Sequence, residues 1–186
     1  VSTPPASALM DWDGKLDDQP LRLPYAAPGG VRELLAWAEA VLAGQNVVVT
    51  RRTQLRTWNL STIWRLDTAA DTYWVKAVPP FFHHEPTVLE LFSWERVPRL
   101  VAAAPGRMLL RNIAGEDCYD ASMVQMRYMV EALVDLQWRW RTRLGDMLAA
   151  GIPDARSRVL AAQIGDVVAR WRDRLRASDR STLDQF

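Results

Sequence analysis

The apolar positions change period several times along the chain, and each change marks an element. Leu34, Leu35, Ala38, Val41 and Leu42 recur at helical spacing, which predicts a helix over Val31–Ala43 closed by Gly44. The spacing then shortens. Val47–Val49 is a brief β-branched run, Gln54–Ser61 is polar and reads as a loop, and Thr62–Leu66 resumes an apolar alternation. A polar turn at Thr68–Asp71 and a run over Thr72–Val78 complete what reads as a tight hairpin, stopped by Pro79 and Pro80. On the last strand, alternation places Trp74, Lys76 and Val78 on one face. A lysine between two apolar neighbours on a sheet face needs a partner.

The pattern next turns helical for a short stretch. Val88, Leu89, Leu91, Phe92 and Glu95 predict a helix opened by Pro86, a residue favoured in a first turn. Two further strands, Arg99–Ala103 and Arg107–Ile113, are split by Pro105–Gly106. From Ser122 onward the chain reads as helix. Met126, Met129, Val130, Leu133 and Val134 form the stripe of a packed helix, and a break follows at Gly151–Asp154. Leu160, Ile164, Val167, Val168, Trp171 and Leu175 form a second stripe, interleaved with Arg170, Arg172, Arg174 and Arg176, which read as a solvated face. The expected class is α+β. Its expected divisions are an N-terminal extension over 1–30, a sheet-bearing region over 31–117, and a helical region over 118–186. The extension is rich in Pro, Asp and Gly and admits a hairpin around Asp13–Gly14.

Composition narrows the function classes. The 23 Lys and Arg balance 22 Asp and Glu, without the basic excess of a nucleic-acid binder, so no nucleic-acid partner is expected. The nine Trp are scattered and read mainly as core filling. Cys118 is the single cysteine, so no intrachain disulfide forms, and its acidic neighbours disfavour a thiolate. No run is apolar enough to span a membrane, and no signal pattern opens the chain. These features lead to the expectation of a soluble, cytoplasmic protein with no membrane partner.

The chemistry-bearing segments come in a definite order. They are Tyr73-Trp74-Val75-Lys76-Ala77-Val78, then His83-His84-Glu85-Pro86, then Val97-Pro98-Arg99-Leu100, then Met108 through Glu116. A strand lysine, an acid opening a short helix, and two strands ending in a loop resemble the small lobe of the aminoglycoside phosphotransferase and choline kinase group. The segment from Leu136 to Asp154 resembles the first helices of that group's large lobe. The resemblance spans about Pro28 to Leu175 and lies in the ordering of the motifs. It implies a kinase-like small lobe, an antiparallel sheet with a packed helix, followed by the start of an α-helical large lobe. The implied activity is transfer of the γ-phosphate of ATP, or another nucleoside triphosphate, to a hydroxyl of a small acceptor.

The resemblance also implies site residues. Lys76 would meet the α- and β-phosphates as a mobile point charge, and Glu85 would hold its ammonium in place. Thr57, Asn59 and Ser61 fall in the loop that covers the phosphates in such enzymes; that loop has no glycine here, a departure from the usual pattern. Arg111, Asn112 and Ile113 fall where backbone groups meet the nucleotide base. Glu116 and Asp117 lie just beyond and read as a solvated loop, with the ribose as the alternative neighbour. His83 and His84, being adjacent, do not read as a metal pair, and no metal ligand is assigned. The His-Gly-Asp catalytic loop and the later Mg²⁺-binding Asp of the group do not occur before Phe186, so no catalytic residue is assigned. The expectation is that this chain is the N-terminal part of a longer enzyme, with Mg²⁺ entering only in the whole. The alternative is a catalytically inactive scaffold or interaction module, whose C-terminal helices expose apolar stripes and pair as a homodimer.

Overall fold

The computed structural model describes Tyr25, residues 27–58, 60–93, 97–115, 118, 120–174, 176 and 179–180. The elements run α1 (Gly30–Ala43), β1 (Val49–Trp58), β2 (Ser61–Thr68), β3 (Thr72–Ala77), α2 (Glu85–Leu91), β4 (Leu100–Ala104), β5 (Arg107–Arg111), α3 (Met123–Trp140), α4 (Leu144–Ala149) and α5 (Ser157–Trp171). The class is α+β. The five strands form one antiparallel sheet in the order β1-β2-β3-β5-β4, with α2 inserted in the chain between β3 and β4. By contacts the chain divides into two compact units, Val1–Gly151 and Ile152–Phe186. The hairpin expected around Asp13–Gly14 lies outside the described residues, as do Glu95, Glu116 and Asp117.

The register assigns every side chain to a face. Trp64 sits opposite Val75, and Leu66 opposite Tyr73; Val75 in turn pairs with Leu109. These residues, with Ala77, bury against Leu34, Leu35, Ala38 and Leu42 of α1 and against Tyr25. The α1 stripe is therefore the one that periodicity predicts, and it covers one face of the sheet. The other face carries Ile63, Lys76 and Met108 in one cross-strand row, and Arg65, Trp74 and Leu110 in the next.

Between β4 and β5 the chain reverses at Gly106, whose φ is +72°. A side chain there would be strained by the backbone alone. It would also meet the His83 imidazole, because the turn packs under the segment linking β3 to α2. The Val78 amide donates to the Gly106 carbonyl at 2.8 Å, continuing the β3–β5 ladder past the strand end.

Three sequence expectations change here. Gln54–Trp58 is strand and not loop, because β1 runs to Trp58 and only residues 59 and 60 separate it from β2. No residue of β1 is buried, so no face of it presses on the core strongly enough to impose an apolar alternation. Its Arg51, Arg52 and Arg56 give the charged, exposed edge that resists pairing with another chain. Secondly, the stripe of α3 does not pack: Met126, Met129, Val130, Leu133 and Val134 are 45–59% exposed. Helical periodicity identifies an apolar face but not what covers it. Thirdly, tryptophan is only partly core. Trp64 and Trp140 are buried, whereas Trp58, Trp138 and Trp171 are exposed. Each exposed ring lies under a neighbouring guanidinium, of Arg56, Arg141 and Arg174 respectively.

The helix starts follow local chemistry. Ser122 caps α3 reciprocally with Gln125, and Pro86 occupies the first turn of α2. The one buried residue of α3, Trp140, closes on Phe92 with ring centroids 4.0 Å apart, tying the end of α3 to the end of α2. In the second unit, Asp154 accepts from the Arg156 amide and guanidinium just ahead of α5. No described helix is long and apolar enough to cross a membrane.

Candidate functional site

Lys76 leaves β3 on the face opposite α1, flanked across the sheet by Ile63 and Met108. After Ala77 the chain passes the buried Val78 and Pro79, makes one 3₁₀ turn over Pro80–Phe82, and enters α2 at Glu85. This short, proline-stiffened link brings Glu85 back to the strand. Lys76 Nζ donates to Glu85 Oε2 at 2.6 Å. The two side chains are 26% and 28% exposed, so the pair is largely covered but still reached by water. Glu85 also lies in the first turn of α2, where a carboxylate opposes the partial positive charge of the helix start.

Beside this pair is a cleft of about 260 Å³. Ile63, Trp74 and Leu110 form its sheet wall, Pro98 a second wall, and Arg111–Ile113 its rim, with Lys76 at the side nearest Glu85. The lining is mostly apolar, with the lysine and an asparagine amide at opposite limits. That is the usual character of a small-molecule site, although the volume is below the common range of roughly 300–1,000 Å³. A space of this size suits a small, ring-sized group.

The rim is tied down at three points. The Asn112 amide donates to the Thr72 carbonyl at 3.1 Å. The Arg111 guanidinium donates twice to Asp71 Oδ2, at 2.9 and 2.8 Å. The Trp74 indole N–H donates to Asn112 Oδ1 at 2.8 Å. The Arg111 guanidinium, helped by the Thr72 amide, holds the Asp71 carboxyl below its ordinary range, and Asp71 in turn raises Arg111. The chain leaving β5 is thus anchored to β3 and to the β2–β3 turn by both backbone and side chains.

The structure brings together Lys76, Glu85, Arg111, Asn112 and Ile113, five of the positions expected from sequence. It does not bring Thr57 and Ser61 to them. Thr57 pairs with Thr62, on the α1 side of the sheet, and the two hydroxyls lie 2.7 Å apart. Ser61 is buried and accepts the Trp58 indole N–H at 2.8 Å. Both hydroxyls are spent inside the β1–β2 hairpin, which is tighter than the loop the sequence led us to expect. Asn59 lies outside the described residues.

Sequence reasoning missed Ile63, Pro98 and Leu110 as walls of the cleft, and Asp71 as the anchor of its rim. Trp74 was legible as a neighbour of Lys76, but its bond to Asn112 joins residues 38 apart in sequence, which no local pattern reports. A second groove, about 470 Å³, runs between α2 and β4, with Glu90, Ser93 and Arg99 in its mixed polar and apolar lining. It includes neither Lys76 nor Glu85. Among the described residues no group of three or more His, Cys, Asp or Glu side chains is placed to hold a metal ion. Compared with known proteins, the chain matches no protein-family model and no curated protein.

Proposed function

We propose that this chain binds a purine nucleoside triphosphate, as the nucleotide-holding part of a small-molecule kinase resembling the aminoglycoside phosphotransferase group. The observation that carries the reading is the 2.6 Å Lys76–Glu85 pair at the side of an apolar, ring-sized cleft. A base in the cleft leaves its phosphates beside Lys76. An ammonium there neutralises phosphate charge, and Glu85 fixes its position before the ligand arrives, so less ordering is needed on binding. The strand order, with the acid-bearing helix between β3 and β4, supports reading the sheet as a kinase-like small lobe. The group acting as base in the transfer and the Mg²⁺ ligands are assigned to no residue of this chain, and the acceptor alcohol is left open.

The test is calorimetric titration of the chain with ATP, ADP and adenosine. The expected order of affinity is ATP, then ADP, then adenosine, because each phosphate lost removes charge facing Lys76. Lys76→Met is expected to bring the three towards the affinity of adenosine. Equal affinities in the wild type, or no binding of any of them, refute the reading.

A second reading has its own observation. Met126, Met129, Val130, Leu133 and Val134 of α3 are exposed, and so are Leu160, Ile164, Val167 and Trp171 of α5. Faces of this kind commonly mark interaction surfaces. On this reading the sheet is a scaffold and the chain self-associates through its helices. Sedimentation equilibrium of the wild type and of Met129→Glu/Leu133→Glu separates the two: a monomeric wild type removes the second reading.

A further inference from the structure

The bond between Trp74 and Asn112 has a chemical consequence for what the cleft selects. An indole N–H only donates, so the atom it meets at 2.8 Å is the carboxamide oxygen and not the nitrogen. This fixes the amide orientation without ambiguity. The Asn112 NH₂ then turns away from Trp74, and it has no hydrogen-bond partner among the described residues. Two neighbouring donors are already committed: the Asn112 backbone amide to Thr72, and the Arg111 guanidinium to Asp71. Asn112 lines the cleft, so an amide whose oxygen is held by Trp74 stands among mostly apolar neighbours.

Resting on the nucleotide reading above, we propose that Asn112 is a specificity-determining residue whose NH₂ group selects a ring edge made of acceptors. Among purines that edge belongs to the 6-oxopurines, in which O6 and N7 both accept, whereas adenine offers N7 beside an N6 donor. An unrestrained asparagine pairs well with adenine by using its oxygen and its nitrogen together. Here Trp74 occupies the oxygen, so that two-point pairing is weakened and the acceptor-only edge gains. Trp74 is the positioning residue of the pair; Asn112 is the one that reads.

The experiment measures Kd for ATP, GTP and ITP on the wild type, Asn112→Asp, Trp74→Phe and Lys76→Met. ITP separates the O6 edge from the guanine 2-amino group. In the wild type GTP and ITP are expected to bind about tenfold more tightly than ATP, the size of a single well-placed base contact. Asn112→Asp keeps an acceptor for Trp74 but removes the donor, and is expected to bring the GTP-to-ATP ratio to one or below. Using the ratio cancels the repulsion that an added carboxylate exerts on both triphosphates. Trp74→Phe frees the amide to turn over, and the ratio is expected to collapse towards one while ATP affinity holds or rises. A ratio near one in the wild type, or one unchanged in Asn112→Asp, overturns the proposal. If Lys76→Met still weakens all three triphosphates in that case, the nucleotide reading survives and only the role of Asn112 falls. If the wild type binds none of the three, both fall together. Asn112 is exposed at a strand end, and a thermal melt of each variant confirms that the fold is kept.

Discussion

The Lys76–Glu85 pair lends itself to a double-mutant cycle, because its two partners come from different elements and meet at one short contact. The single changes are Lys76→Met, which keeps the aliphatic stem, and Glu85→Gln, which keeps the shape and loses the charge. Fully exposed ion pairs contribute roughly 0.2–1 kcal/mol. Removing one partner of a fully buried pair costs about 3–5 kcal/mol, because the other charge is left unpaired. With 26% and 28% of the side chains exposed, the pair sits between these limits but nearer the covered one. Each single change is therefore expected to cost about 2 kcal/mol, and the double change less than the sum, giving a coupling of about 1–2 kcal/mol. Urea unfolding of the four proteins, followed by circular dichroism, measures this directly. Distant sites add to within about 0.3–0.5 kcal/mol, so a coupling inside that error would show that the contact is not formed in solution. A second readout separates a functional pair from a structural one. Saturating ATP at about a hundred times Kd is expected to stabilise the wild type by about 2.7 kcal/mol. Lys76→Met should lose most of that gain, and Glu85→Gln less, since it keeps the ammonium. Equal stabilisation of wild type and Lys76→Met would refute the functional part while leaving the structural coupling intact.

Other parts of the molecule give independent tests. Leu66 is fully buried between the sheet and α1, so Leu66→Ala is expected to destabilise by about 3 kcal/mol in urea; a loss under about 1 kcal/mol would mean that α1 does not cover this face. Gly106→Ala places a Cβ 2.7 Å from His83 Nε2 on a left-handed backbone, and should cost more than the roughly 1–2 kcal/mol of the backbone strain alone. His83→Ala in the same protein should return only the steric share, and full recovery would contradict the φ argument. In the second unit, the Arg156 guanidinium and amide hold the Asp154 carboxyl down to about 2, below its ordinary 3.8. Because the folded value is the lower one, its stabilising effect is complete above about pH 4 and fades as the pH falls towards 2. Helix content followed by circular dichroism should therefore decline over that window in the wild type and less in Asp154→Asn; identical profiles would show that this carboxylate does not hold the start of α5.

The elements with one covered face were legible in the chain. The spacing of Leu34, Leu35, Ala38 and Leu42 located α1, and the alternation through Tyr73–Ala77 located β3 and put Trp74 and Lys76 on one side. Both follow from burial, since a face pressed against a core writes its period into the sequence. β1 was read short because none of its residues is buried, so it has no such face to record. The α3 stripe was read as packed for the converse reason: periodicity reports a face, and solvent or a partner can lie against it.

For the site, the sequence by itself determined the reactive types and their order: a strand lysine, an acid opening a helix, and a strand exit at Arg111–Ile113. Only the tertiary structure decided which of them meet. It closed Lys76 onto Glu85 through a link of two prolines and a 3₁₀ turn, and it joined Trp74 to Asn112 and Asp71 to Arg111 across the sheet. It also turned the Thr57 and Ser61 hydroxyls inward on their own hairpin. The physical reason is that periodicity is a local record of burial, whereas a hydrogen bond between residues some forty positions apart depends on strand order and register, which emerge only when the whole sheet assembles.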